Sequence, residues 1–242
     1  MLQHLDLFSG IGGFSLAAQM VGNIKTTQFV ELRPHCHQVL AKQFPGIPIH
    51  ADITTFTAER GQFDLITAGF PCQDISAANA QGEGITGERS GLFFEVIRIL
   101  RECRPRYLVL ENSPALLNFR SGRDMGAILW ELSRCGYDAD WSVISACSVG
   151  APHPRKRLFI VAYPNSINGS LGLAFHDQYR RALQTQHKKA SFSPWAEAPP
   201  HSSGMANGLP HRVDRVIGLG NAVVPQVAAI ALQRVLGLEA AA

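Results

Sequence analysis

Apolar residues in the first two-thirds of the chain alternate between two kinds of segment. Short runs at 5–8, 26–30, 47–50, 64–68 and 106–112 have the length and bounding signals of buried strands. Between them lie segments of helical period: 14–21, 34–44 (opened by Pro34), 91–103 and 125–135. In the third of these, Leu92, Phe93, Val96, Ile97 and Leu100 recur at helical spacing. The run 106–112 is nearly all apolar, as expected of a strand covered on both faces. Two further strands are predicted at 141–147 and 157–163, and a closing helix at 224–236. This order predicts an α/β fold with a doubly wound, mostly parallel sheet. From 164 to 210 the period fades among Asn, Gly, Ser, Gln, His and Pro, which predicts a small irregular module rather than a second full domain.

Charge adds an asymmetry to this picture. The chain is 242 residues long with a net charge of +3. Residues 1–154 hold 12 lysines and arginines against 15 acids, and residues 155–220 hold 9 against 3. A basic segment of net +6 on a domain of net −3 suggests a polyanionic partner, or alternatively a solvated loop. The N-terminus Met-Leu-Gln-His-Leu-Asp has no cationic start, and no apolar run approaches a membrane span. A cytoplasmic protein with reduced thiols is therefore expected. Its cysteines (36, 72, 103, 135 and 147) are odd in number and form no Cys-x-x-Cys pair, so no zinc cluster is expected. His35-Cys36-His37 looks metal-like, but near neighbours on a helix point apart; a helix start after Pro34 is the better reading.

The candidate chemistry gathers where the predicted strands end. Gly69-Phe-Pro-Cys72-Gln-Asp-Ile-Ser76 puts a cysteine on the loop leaving the fourth strand, where α/β enzymes place reactive groups. Locally it reads as a nucleophile or as a plain loop cysteine. Asp6-Leu-Phe-Ser-Gly-Ile-Gly-Gly13 turns a strand into a helix with glycines that admit close approach of a ligand, although the spacing is not G-x-G-x-x-G. Glu31 and Asp52 end the second and third strands, placed either for a nucleoside or as helix caps. Glu111 ends the fifth strand, so one sheet edge should carry all of these groups.

Five elements in order, Asp6 to Phe14, Gly69-Phe-Pro-Cys-Gln73, Glu111-Asn-Ser113, Arg155-Lys-Arg157 and Gly220-Asn-Ala-Val-Val-Pro225, closely resemble the DNA cytosine-5 methyltransferases. The resemblance covers nearly the whole chain except about 165–210. It implies a Rossmann-like methyltransferase fold, with 1–164 and 211–242 as the catalytic domain and 165–210 as a reduced target-recognition segment. It implies S-adenosyl-L-methionine as donor, S-adenosyl-L-homocysteine as product and no metal. Cys72 would add to C6 of a flipped cytosine, Glu111 would bind N3 and the exocyclic amine, and Arg155 and Arg157, on one strand face, would hold the base. Asn112 is better suited to orienting the loop than to reacting.

Donor contacts are expected from Phe8, Ser9, Gly10, Gly12, Gly13, Glu31, Asp52, Ile53, Pro71, Leu92, Asn221 and Ala222. DNA contacts are expected from Gln73, Ser76, Arg180, Arg181, Lys188 and Lys189. Partners would be double-stranded DNA and a cognate restriction endonuclease, with the enzyme a monomer in a bacterial or phage-infected cell, away from membranes. The chain departs from the family at Ser9 (usually Ala or Cys), Ser113 (commonly Val) and His153 (generally Gln), and it lacks the usual ninth motif. Competing readings are an RNA cytosine-5 methyltransferase, a non-catalytic DNA decoy and, more distantly, a nicotinamide dehydrogenase.

Overall fold

A computed structural model of the chain describes residues 1–71, 91–166, 218 and 220–241. Five parallel strands, β1 (Leu2–Leu7), β2 (Ile24–Val30), β3 (Ile49–His50), β4 (Leu65–Ala68) and β5 (Tyr107–Asn112), alternate with helices α1 (Gly13–Val21), α2 (Pro34–Gln43) and α3 (Leu92–Cys103). Helix α4 (Arg123–Arg134) leads into an antiparallel pair, β6 (Tyr137–Ser145) and β7 (Lys156–Pro164), and α5 (Pro225–Ala241) closes the fold. The sheet order is β3-β2-β1-β4-β5-β7-β6, with β7 inserted antiparallel between β5 and β6. The doubly wound, mostly parallel sheet expected from the pattern is thus present.

The period of two along the strands explains the layers. Leu5, Leu7, Ile66, Leu108, Leu110 and Ile160 pack on one face with Phe93, Val96 and Ile97 of α3 and Ile128 and Leu132 of α4. The alternate residues Leu65, Tyr107, Val109, Phe159 and Val161 pack on the other face with Phe14 and Ala17 of α1 and with α5. On the same side, Phe29 meets Leu40 of α2 and Phe44 just after it. Pro34 occupies the first turn of α2 and Cys36 is buried, so His35-Cys36-His37 is indeed a helix start. Among the described residues no helix is long and apolar enough to cross a membrane, and no three His, Cys, Asp or Glu side chains are grouped as a metal site.

Several element bounds differ from expectation: β1 spans Leu2–Leu7 rather than 5–8, leaving Phe8 on the loop, and α5 runs on to Ala241 rather than 236. β6 begins at Tyr137, four residues before the predicted 141, because Ala139 and Asp140 pair in register with Ala162 and Val161 of β7. That ladder, rather than local periodicity, sets its start. β7 begins at Lys156, so Arg155 lies just outside the strand.

The inward face of β1 carries a polar chain beneath the glycine loop. Asp6 accepts hydrogen bonds from Ser15 Oγ of α1 at 2.7 Å and from Thr67 Oγ1 at 3.0 Å. His4 bridges Thr67 and Thr26 at 2.8 Å each. When Asp6 is ionised and accepts from Thr67, His4 Nε2 donates to Thr67 and His4 Nδ1 accepts from Thr26. Burial pushes the Asp6 carboxyl up to about 7 and the His4 ring down to about 3.

Candidate active site

The strand order reverses at the β1/β4 junction, where open α/β sheets form a crevice above the strand ends. A cavity of about 490 Å³ lies there. Its first wall is the loop after β1. Phe8 holds a left-handed backbone (φ 54°), as does Gly10 (φ 55°), so the chain turns sharply off the strand. A bulky residue in that region carries strain of the kind found at ligand sites. Phe8, Ser9, Gly10 and Gly13 line the cavity. Gly12 does not: a Cβ there would fall 2.5 Å from the Phe44 ring, so this glycine serves the packing of α1 on α2. Gly13 serves closure from the other end of the chain, since its Cβ would fall 2.8 Å from the Val223 carbonyl oxygen.

Glu31 forms the second wall. It is buried, and its two carboxylate oxygens accept from Gly10 N at 2.8 Å and Arg33 N at 3.0 Å. Its carbonyl accepts from His37 Nε2. The carboxylate therefore spans the loop after β1 and the loop after β2, with acceptor capacity remaining on each oxygen. Asp52 Oδ1 accepts from the backbone and hydroxyl of Thr54, which hold this carboxyl below its usual range. Asp52, Ile53, Pro71 and Leu92 line the cavity, as do Asn221 and Ala222 from the C-terminal segment. Leu32, Arg33 and Cys36 also line it and were not anticipated. Leu32 is 70% exposed, so nothing in its local pattern marked it.

At the far end of the cavity the end of β5 presents Glu111, buried, with Arg157 Nε of β7 at 2.8 Å from its Oε1. Burial raises the Glu111 carboxyl to about 7, against the lowering pull of Arg157 and Arg155. Gly69 lets the backbone after β4 pass close by, as a Cβ there would lie 3.3 Å from Glu111 Oε2. The Asn112 amide donates to the carbonyl of Phe70 at 3.4 Å and its oxygen accepts from Ser113 N at 2.7 Å, tying β5 to the chain just before Pro71.

Arg155 and Arg157 both pull the Glu111 carboxyl down, but they make different contacts. Arg155 Nη2 donates to the carbonyls of Gly220 at 2.6 Å and Ala222 at 3.1 Å, and the residue does not line the cavity. Because it precedes β7, strand alternation does not govern its direction. It anchors the C-terminal segment that closes the pocket. Cys72, Gln73 and Ser76 lie outside the described residues, as do Arg180, Arg181, Lys188 and Lys189. Pro71, the last described residue before Cys72, brings the chain to the cavity wall.

The arrangement can hold a polar, partly aromatic ligand over the strand ends and offer a protonatable carboxyl beside it. Residues 2–203 match the family model for the C-5 cytosine-specific DNA methylase. The chain is 36% identical over 171 residues to the type II methyltransferase M.DsaV of Dactylococcopsis salina, covering 70% of this chain and 48% of that protein. It is 39% identical over 165 residues to M2.BsuMI of Bacillus subtilis, covering 66% and 42%. The chain thus spans about half the length of the curated relatives it matches. Among solved structures, a putative DNA modification methyltransferase from an Escherichia coli prophage is 27% identical, with TM-score 0.56 over 69% of this chain and 48% of that one. The Schizosaccharomyces pombe Dnmt2 methyltransferase covers 98% of this chain and 99% of that chain with TM-score 0.64, at 16% identity, a likeness of fold. With most of its length matched by the family model, the chain belongs to the C-5 cytosine-specific DNA methylase family.

Proposed function

We propose that the protein methylates C5 of cytosine in double-stranded DNA, using S-adenosyl-L-methionine and a covalent adduct between Cys72 and C6 of a flipped base. The observation that carries this reading is one continuous cavity joining the Glu31 cradle to the Glu111–Arg157 pair on a single sheet edge. The donor-side residues fit such a cofactor: Glu31 keeps acceptor capacity suited to ribose hydroxyls, and Phe8, Ile53, Pro71 and Leu92 offer apolar surface suited to the adenine. When bound, that cofactor supplies a methyl group on a sulfonium centre.

The chain's own residues do the rest. A stacked base is out of reach, so the target is extruded into the cavity. The Cys72 thiolate adds to C6, forming the S–C6 bond, while N3 takes a proton from Glu111; C5 then has the enamine character needed to accept the methyl group. Loss of the C5 proton to a solvent base, return of the N3 proton to Glu111 and expulsion of the thiolate restore the ring and the acid. Glu111 suits this task because burial keeps it protonated up to about pH 7. Arg157, paired with Glu111, orients it and faces the base; Arg155 adds its charge near Glu111 and holds Gly220 and Ala222 over the pocket. Residues 165–210 are assigned as the reduced recognition segment. The protein is assigned as a cytoplasmic monomer, with a cognate restriction endonuclease as partner.

The test uses duplex DNA carrying 5-fluorocytosine with the donor present, where the blocked loss of fluorine should trap a denaturant-stable complex. Cys72→Ala should abolish it, and alanine at each of the other four cysteines should not. An adduct surviving Cys72→Ala, or methyl transfer into tRNA and not into duplex DNA, would overturn the reading.

A further inference from the structure

We propose that Arg98, which does not line the cavity, is the residue that sets the donor-side wall by clamping the turn after β3 to α3. This rests on the reading of the Glu31–Asp52–Leu92 side as the donor site. β3 has only two ladder residues, so the sheet gives the following segment little support. Asp52 and Ile53, which line the cavity, sit at the start of that segment. The turn closes on itself through Thr55 N to Asp52 O and Phe56 N to Ile53 O.

Arg98 holds this turn from outside. On α3 it has Glu95 three residues before it and Glu102 four residues after it. Its Nε lies 2.8 Å from Glu95 Oε2 and its Nη1 lies 2.8 Å from Glu102 Oε1. Two carboxylates thus fix the guanidinium plane, and Nη2 is left to donate to the carbonyls of Ile53 and Phe56, both at 2.8 Å. Glu102 adds a contact of its own from Ala58 N at 3.4 Å. One planar fork therefore ties both ends of the turn to the helix whose first residue, Leu92, lines the same cavity. The distance between the Ile53 and Leu92 walls is set by this fork. Lysine, a single point charge on a flexible stem, cannot make the four contacts together. Loss of the clamp should lower the population of the binding-competent turn, and apparent affinity falls in proportion to that population.

The experiment measures S-adenosyl-L-homocysteine binding by calorimetry for wild type, Arg98→Met, Arg98→Lys and Glu102→Gln. Arg98→Met should weaken binding roughly tenfold, with the other two intermediate. Amide exchange at residues 55–58 should quicken in ligand-free Arg98→Met. In turnover, KM for the donor should rise while kcat at saturating donor stays within about twofold and KM for DNA is unmoved. A merely structural role would lower kcat and disturb both substrates together, and that outcome would overturn the proposal. Wild-type binding in Arg98→Met would also overturn it. If that variant does not fold, Arg98→Lys and Glu102→Gln decide by the same measures. Failure of the wild-type protein to bind would instead overturn the donor-site reading, and this inference with it.

Discussion

Gly13 and Val223 meet where the two ends of the chain close the pocket: a Cβ on Gly13 would fall 2.8 Å from the Val223 carbonyl oxygen and 2.7 Å from its Cγ1. The oxygen belongs to backbone, which cannot swing aside as a flexible side chain can. A methyl group at position 13 must therefore push the C-terminal segment off the start of α1. Gly13→Ala should cost about 1–3 kcal/mol, the usual range for overpacking, read as a lowered denaturation midpoint. Because Asn221 and Ala222 line the cavity in that same segment, donor affinity should fall with it. Wild-type stability and donor affinity together would show that the segment yields freely.

The Glu111 carboxyl stands at about 7 because burial outweighs the pull of Arg157 and Arg155. Protonation of N3 needs the acid form, so kcat/KM should fall as pH rises through about 7. Both arginines lower this value, so removing Arg157 must move it further up. Carbon NMR of labelled glutamate in Arg157→Met should show a later midpoint than wild type. An unchanged midpoint would remove Arg157 as an electrostatic partner of Glu111.

Asp6 gives a separate pH signal. Its carboxyl is at about 7 in the folded protein against an ordinary value of 3.8. Between those values the folded state holds a proton that the unfolded state has lost. The stability this group contributes is therefore full below about pH 4 and is lost as pH rises through 7. Asp6→Asn abolishes this titration and can still accept from Ser15 or Thr67. Relative to wild type, the variant should gain about 2–3 kcal/mol between pH 5 and pH 8. His4 works in the opposite sense over lower pH, between its folded value of about 3 and its ordinary 6.5. Since His4 is present in both proteins, its effect largely cancels in the difference. Chemical denaturation at several pH values checks this, and a difference constant with pH would refute it.

Local pattern made most of the sheet legible. Runs such as 64–68 and 106–112 are buried on both faces, so their composition alone announces strands, and β4 and β5 lie within a residue or two of them. What local pattern could not convey came from contacts between distant residues. The start of β6 depends on its ladder with β7 and on Asp140, whose carboxylate meets Arg234 of α5 at 2.6 Å. Arg155 and Arg157 look equivalent in the sequence, yet one serves Gly220 and the other Glu111, because the strand begins between them. Gly12 and Gly13 are adjacent and look alike, but one touches α2 and the other the C-terminal segment. The Arg98 fork was invisible for the same reason: its spacing from Glu95 and Glu102 marks an ordinary exposed helix face, and only the fold brings Ile53 and Phe56 beneath it.

The last prediction concerns the basic segment, whose charge excess is read from sequence. Arg180, Arg181, Lys188 and Lys189 are expected to contact the DNA backbone. Each lost phosphate contact should remove up to about one unit from the slope of log affinity against log salt. Neutralising all four together should therefore weaken DNA binding and flatten that slope. Donor binding should be unchanged, because every donor-side residue named above lies outside 165–210. Fluorescence titration with duplex DNA over a salt series makes the measurement, with calorimetry of the donor product as its control. If the four-site variant keeps wild-type affinity and slope, these charges only solubilise the segment. Recognition would then fall to the catalytic face around Glu111 and Arg157, or to a partner protein that supplies the contacts.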